Sequence, residues 1–215
     1  MLNKKYFKEK EGNFYFLRNK INLKNFDYSN DELQILISKI IEDYGKKKIN
    51  ILEIGCADGE RLKHLKKKYP NINPFGVEPS FDAIKYGKKN KINIKKGTAD
   101  KLAFKNNFFD IIIFGFCLYL TDDSDLFEIA KEVDRVTKSK SWIIIKDFDT
   151  DDTIYKKYKH NKNVNIRKMD YSKLFIWHPY MTLHTKKKLN HDNYNWTDNS
   201  DKHISINCIR KNKNS

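Results

Sequence analysis

Three short stretches carry side chains whose types and spacing could do chemistry. In NILEIGCADGERL, Asn50 to Leu62, an acid (Glu53) stands two residues before Gly55, with Gly59 four further on. Glu78 in FGVEPS follows Gly59 by 19 residues, and GTADKLAF spans Gly97 to Phe104. Glycines let the backbone bend sharply and let a ligand come close, and a helix starting after them aims free N–H groups at the same space. A carboxylate at the end of a buried strand is costly unless a cation or a hydrogen-bond donor meets it, which makes Glu53 informative. Glu78 is placed to accept both hydroxyls of a ribose. A tight turn without ligand explains a lone glycine pair equally well; the three stretches together favour a nucleotide-like ligand. A dinucleotide fingerprint would need a glycine where Glu60 stands, so a nicotinamide enzyme is disfavoured.

Other candidates are general bases. Tyr119 follows a strand, Asp147 and Asp149 close another, and Tyr171 and His178 belong to MDYSKLFIWHPY. His178 could act near neutral pH, although a histidine between Trp177 and Pro179 serves as readily for packing. His64 lies among lysines and reads as surface, and His184, His191 and His203 lack ligand spacing, so no metal is expected. Cys56, Cys117 and Cys208 are widely separated in apolar surroundings, which suggests neither disulfides nor zinc and fits a reducing cytoplasm.

The elements that must hold these residues follow from periodicity. SNDELQILISKIIEDYG reads as a helix, with Ser29 and Glu32 as a capping box, an apolar stripe from Leu33 to Tyr44, and Gly45 as its close. Strands are expected at Ile49 to Ile54, Pro74 to Val77, Asn93 to Lys96, Phe109 to Phe114 and Ser141 to Phe148. Helices alternate with them at Glu60 to Tyr69, Phe81 to Lys89 and Ser124 to Thr137. Nearly continuous apolar strands alternating with helices point to a parallel sheet covered on both faces. Beyond Asp149 the rhythm changes: DYSKLFIW suggests a short helix capped by Asp170, and YMTLHT and HISINCIR a terminal antiparallel hairpin. Residues 1 to 28 mix polar and aromatic residues without a period and read as an ordered flap.

At 215 residues the chain suits one domain: flap 1–28, ligand-binding core 29–149 and C-terminal segment 150–215. A third of the residues are charged and mean hydropathy is −0.77, yet dense apolar runs such as FFDIIIFGFCLYL indicate a folded core. The formal charge of +15 would suit nucleic acid. Lysine supplies most of it, the arginines being Arg18, Arg61, Arg135, Arg167 and Arg210. Specific phosphate and base recognition leans on arginine, so solvated surface charge is favoured over a nucleic-acid face. No segment reads as a leader or membrane span.

The chain resembles the class I S-adenosylmethionine-dependent methyltransferases of small-molecule type from about Ile49 to Phe148, and more loosely to the terminal hairpin. The family's first-turn pattern is matched by Glu53, Gly55, Ala57 and Gly59, with Cys56 between them and alanine replacing the middle glycine; its ribose acid is matched by Glu78, beside Pro79. Its adenine segment is matched by Gly97, Thr98, Ala99, Asp100, Leu102 and Phe104, with Thr98 replacing the usual aspartate. Phe114 and Gly115 open the stretch where the family lines its methyl-transfer site.

The resemblance implies an α/β fold: a three-layer, Rossmann-like, doubly wound sheet of seven strands, mostly parallel with an antiparallel last strand. It implies S-adenosyl-L-methionine as donor and a small-molecule acceptor, such as a sugar, nucleotide-sugar or lipid-linked group, handled by a monomer or homodimer. The aromatic flap and KMDYSKLFIWHPYM are expected over the acceptor. Alternatives are methylation of RNA or protein, or a non-catalytic donor-binding partner subunit.

Overall fold

The computed structural model describes residues 2–212. Apolar residues in adjacent pairs and triplets drive the central strands, which bury both faces: β1 (Ile49–Ile54), β2 (Ile72–Glu78), β3 (Asn93–Lys96), β4 (Phe109–Gly115) and β5 (Thr137–Phe148). All five are parallel in the order β3-β2-β1-β4-β5. The chain reverses its direction of travel across the sheet between β1 and β4, where a crevice opens outside the strands' carboxyl ends.

Two more strands complete a seven-stranded sheet: β8 (Met181–Asn190) and β9 (His203–Lys211). β9 runs antiparallel between β5 and β8. β8 is longer than YMTLHT suggested and continues through Lys186–Lys188. It is an edge strand, where charge is tolerated and discourages further pairing, and Lys186 lies 2.6 Å from Asp149.

Alternate residues of each strand face two helical layers. One cluster joins Ile49, Ile51, Ile111, Ile113 and Ile144 to α3 (Glu32–Asp43) and α4 (Glu60–Lys68). The other joins Leu52, Ile54, Ile112, Phe114, Ile143 and Ile145 to α6 (Leu126–Val136) and α7 (Lys173–Ile176). Each fully buried leucine or isoleucine contributes roughly 1.5–3 kcal/mol of burial free energy. α5 (Phe81–Gly87) follows β2.

α3 begins later than the capping-box reading has it. Asp31, not Ser29, is the cap, accepting from the Gln34 N–H at 3.3 Å, while Ser29 bonds Asp27. Gly45 closes the helix with φ +61. Asp170 accepts from Ser172 rather than capping α7 directly.

The regions without a clear period are ordered. α1 (Leu2–Tyr6), a π-helical turn (Phe7–Glu11) and α2 (Gly12–Asn25) form an N-terminal arm. A hairpin of β6 (Ile154–Tyr158) and β7 (Asn161–Lys168), absent from the sequence reading, forms a separate two-stranded sheet. Buried Glu11 ties the two together, accepting from Tyr158 Oη at 2.8 Å, from Tyr6 Oη at 3.1 Å and from Arg18.

Candidate functional site

Two adjoining cavities open at the carboxyl ends of β1, β2 and β4. The larger, about 890 Å³ with its open mouth included, is lined by Ile54, Gly55, Val77, Glu78, Pro79, Thr98, Ala99, Asp100, Cys117, Leu118 and Ile129, and by Lys4, Phe7, Gly12 and Tyr15 of the arm. The smaller, about 480 Å³, is lined by Glu53, Cys56, Ala57, Asp58, Arg61, Gly115 and Tyr28. Tyr15, Gly55 and Phe116 belong to both. Together they suit a drug-sized ligand.

The first turn shapes the junction. Gly55 has φ +72, and a Cβ there would lie 2.9 Å from Cys117 Cβ, so glycine is required on both backbone and steric grounds. Ala57 also takes a left-handed conformation, φ +48, and its N–H donates to Glu78 Oε2 at 2.8 Å. Gly59, φ +77, starts α4 but lines neither cavity; a Cβ there would sit 3.1 Å from Ile94 Cδ1. Its left-handed conformation shapes the turn into α4.

Glu78 is held by two backbone donors, Ala57 N–H and Ser80 N–H, each at 2.8 Å. Those bonds fix the carboxylate while leaving it lone pairs toward the larger cavity. Burial pushes its pKa up to about 7, against the lowering effect of the two N–H groups.

Glu53 ends a buried charge network on the α3–α4 face. Arg61 Nε donates to Glu53 Oε1 at 3.0 Å and Nη1 to Asp31 Oδ2 at 2.6 Å, while Lys146 Nζ reaches Asp31 Oδ1 at 2.8 Å. Burial raises the Glu53 carboxyl to about 7 despite Arg61, whereas Asp31, also opposed by burial but between two cations, is held below its ordinary value. Glu53 Oε2 and Asp58 Oδ2 are buried without a hydrogen-bond partner. A cationic or N–H-bearing ligand group would satisfy them.

At the far end of the larger cavity Lys4 bonds Asp100 and lies 3.4 Å from Asp125 Oδ1. Burial would raise the Asp100 carboxyl, but Lys4 and the Thr98 hydroxyl together hold it below its ordinary value. Tyr15 projects from α2 into the junction, and burial followed by the nearby charge of Glu78 raises its phenol, keeping it neutral.

Of the expected donor-site residues, Glu53, Gly55, Cys56, Ala57, Glu78, Pro79, Thr98, Ala99, Asp100 and Gly115 line these cavities. Phe114 does not: it is fully buried against Phe175, and the lining begins one residue later. The three expected catalytic residues also lie off the cavity walls. Asp147, 1% exposed, accepts from Leu118 N–H and Phe148 N–H, each at 2.8 Å, and so braces the loop after β4. Burial raises its pKa to about 7. Tyr119 packs edge-on against Phe116 and Phe148.

His178 accepts the Met181 N–H through its carbonyl, and Met181 pairs with Lys211, which pairs with Ser141 in the first half of β5. It therefore sits at the opposite end of the sheet. α7 likewise buries Leu174 and Phe175 in the core, so KMDYSKLFIWHPYM does not floor the cavity. Tyr15, which lines both cavities, belongs to the aromatic flap expected over the acceptor, whereas sequence reasoning missed Arg61, Asp31 and Lys146. Only Arg61, the second residue of α4, carried a usable signal, as a lone arginine in a lysine-rich helix. Among the described residues no cluster of side chains has metal-ligating geometry.

A sequence profile described as a methyltransferase domain matches residues 28–205. The chain is 30% identical over 111 residues to ajmaline N-methyltransferase of Rauvolfia serpentina, covering 48% of this chain and 38% of that protein. It is 34% identical over 121 residues to an uncharacterised protein of Methanocaldococcus jannaschii, 54% of this chain and 44% of the other. The chain thus spans less than half the length of these curated relatives. Among solved structures, Burkholderia thailandensis 1,6-didemethyltoxoflavin-N1-methyltransferase, with bound 1,6-didemethyltoxoflavin and S-adenosylhomocysteine, superposes with a TM-score of 0.66. Sequence identity is 10%, over 94% of this chain and 87% of that one, a likeness of fold.

Proposed function

The chain belongs to the methyltransferase-domain family, whose donor is S-adenosylmethionine, and from that premise we propose that it methylates a small-molecule acceptor. The observation that carries the reading is the pair of cavities meeting at Gly55, Tyr15 and Phe116, one apolar with a carboxylate at its wall and the other charged. The residues fit the donor. Glu78 is oriented for ribose hydroxyls, Thr98 to Asp100 for the adenine, and the unpartnered Glu53 Oε2 beside Arg61 for the amino-acid end.

When bound, the donor supplies an electrophilic methyl on a sulfonium, and the reaction is an in-line displacement. The chain's own part is orientation: holding an acceptor at near-attack distance lowers such a barrier by about 7–11 kcal/mol. Phe116 and Tyr15 present aromatic surface at the junction, which favours a nearby cation. The buried Glu53, Asp58 and Glu78 add negative charge. N-methylation by the Rauvolfia and Burkholderia proteins supports a nitrogen acceptor, which needs no strong base because an amine can shed its proton to solvent. The scarcity of arginine, the residue on which specific phosphate and base recognition leans, favours a small molecule over RNA.

Calorimetric titration with S-adenosylmethionine tests the reading. Binding is expected in the wild type and at least about a hundredfold weaker, about 2.7 kcal/mol, in Gly55→Arg. Equal affinity in the two proteins would sink it.

A further inference from the structure

α2 has a second apolar face, turned away from the cavities. Gly12 and Phe16 are buried, while Phe14, Leu17 and Ile21, three and four residues apart, are 50%, 48% and 66% exposed. On the adjoining α5 Phe81 is 57% exposed. The two helices form one surface: Asn13 Oδ1 accepts from Ser80 Oγ at 2.8 Å and from the Asp82 N–H, and the rings of Phe16 and Tyr86 are 5.5 Å apart. Exposed lysines border it, Lys20 and Lys24 along α2 and Lys85, Lys88 and Lys89 on and beyond α5. Of the nearby acids, Glu11 is buried and paired with Arg18; Glu9, the exposed Asp27 and the half-buried Asp82 remain, and the buried Asp58 and Glu60 lie close enough to act on Lys89.

We propose that this face docks on an anionic lipid surface. Phe14, Leu17, Ile21 and Phe81 enter the boundary between headgroups and acyl chains, and the flanking lysines meet lipid phosphates. An apolar stripe on a surface helix bordered by lysines is what an interfacial helix presents. Lysines spread around the rim as point charges match a fluid anionic layer, where each adds to the attraction, better than the fixed carboxylates of one protein partner. Among the described residues no helix is long and apolar enough to cross a bilayer, so contact is peripheral. The same helix turns Gly12 and Tyr15 toward the cavities, so docking would also hold the arm in place.

Co-sedimentation with vesicles tests the proposal independently of the methyl-transfer reading. Binding is expected to phosphatidylcholine vesicles containing phosphatidylglycerol, weakening as salt rises, and not to phosphatidylcholine alone. The double variant Leu17→Glu, Ile21→Glu should lower partitioning at least tenfold with unchanged circular dichroism. The Phe14→Trp variant should shift its fluorescence emission to the blue on the anionic vesicles. Absence of vesicle binding, equal binding by the double variant, or an unshifted emission from Phe14→Trp would each overturn it. So would a solution dimer abolished by the double variant without vesicle binding, which would make the face a contact between copies.

Discussion

The donor side and the cap over it are built on different principles. On the donor side the backbone makes the site: Gly55 and Ala57 in left-handed conformations and two N–H groups clamping Glu78. In the cap, distant side chains make it: Glu11 holds Tyr158 across 147 positions, and Lys4 reaches Asp100 across 96. Backbone sites tolerate almost no change at a few positions. Side-chain caps spread their tolerance and fail by loosening.

Mutations on the two sides should therefore behave differently. After Gly55→Arg, the next largest effect is expected from Glu78→Ala, which removes a buried carboxylate and leaves two N–H groups unpaired. Donor affinity should fall about 10- to 100-fold, in line with roughly 1.5–3 kcal/mol for hydrogen bonds to a charged group. Titration of the folded variant measures it. In the cap formed by the arm and the β6–β7 hairpin, Glu11→Ala removes the shared acceptor of Arg18, Tyr6 and Tyr158. It should cost about 1–3 kcal/mol in urea unfolding while donor affinity falls less than in Glu78→Ala. A larger donor loss from Glu11→Ala would erase the distinction.

Acidity gives a third comparison. Burial raises Glu53 and Glu78 from 4.5 to about 7, so their contribution to stability is complete below 4.5 and is lost as pH rises through about 7. A cationic donor prefers them ionised, so its affinity should rise over that same interval. The protein without donor should then become less heat-stable and the donor-induced rise in Tm larger as pH increases, and Glu78→Gln should flatten both trends. Lys4→Ala should have the smallest effect, since the pair is partly exposed: about 0.2–1 kcal/mol, read as a modestly faster donor dissociation by stopped flow.

The same contrast explains what the sequence disclosed. β1 and β3 match their expected bounds because apolar runs between turn residues leave few alternatives. Glu53, Gly55 and Glu78 stand out because chemistry unusual for a strand end recurs at definite spacing. The arm hid because α2 is apolar on two sides, which cancels the one-sided stripe that marks a helix. The β6–β7 hairpin hid because its strands read as lysine and asparagine, and its anchor, Tyr158, meets Glu11 only in three dimensions. His178 misled because local chemistry says nothing about which end of a sheet a residue occupies.

The position of β9 has a consequence for how the protein comes into being. Among the described strands it is the last to be made, yet it lies between β5 and β8. Until residues 203 to 211 are made, the Ile143–Ile145 edge of β5 and, once it exists, β8 lack the neighbour that joins them. Sheet closure therefore waits for β9, whereas the turn from Gly55 to Gly59 is made well before it. A nascent chain would own its ligand pocket before it owns a finished core.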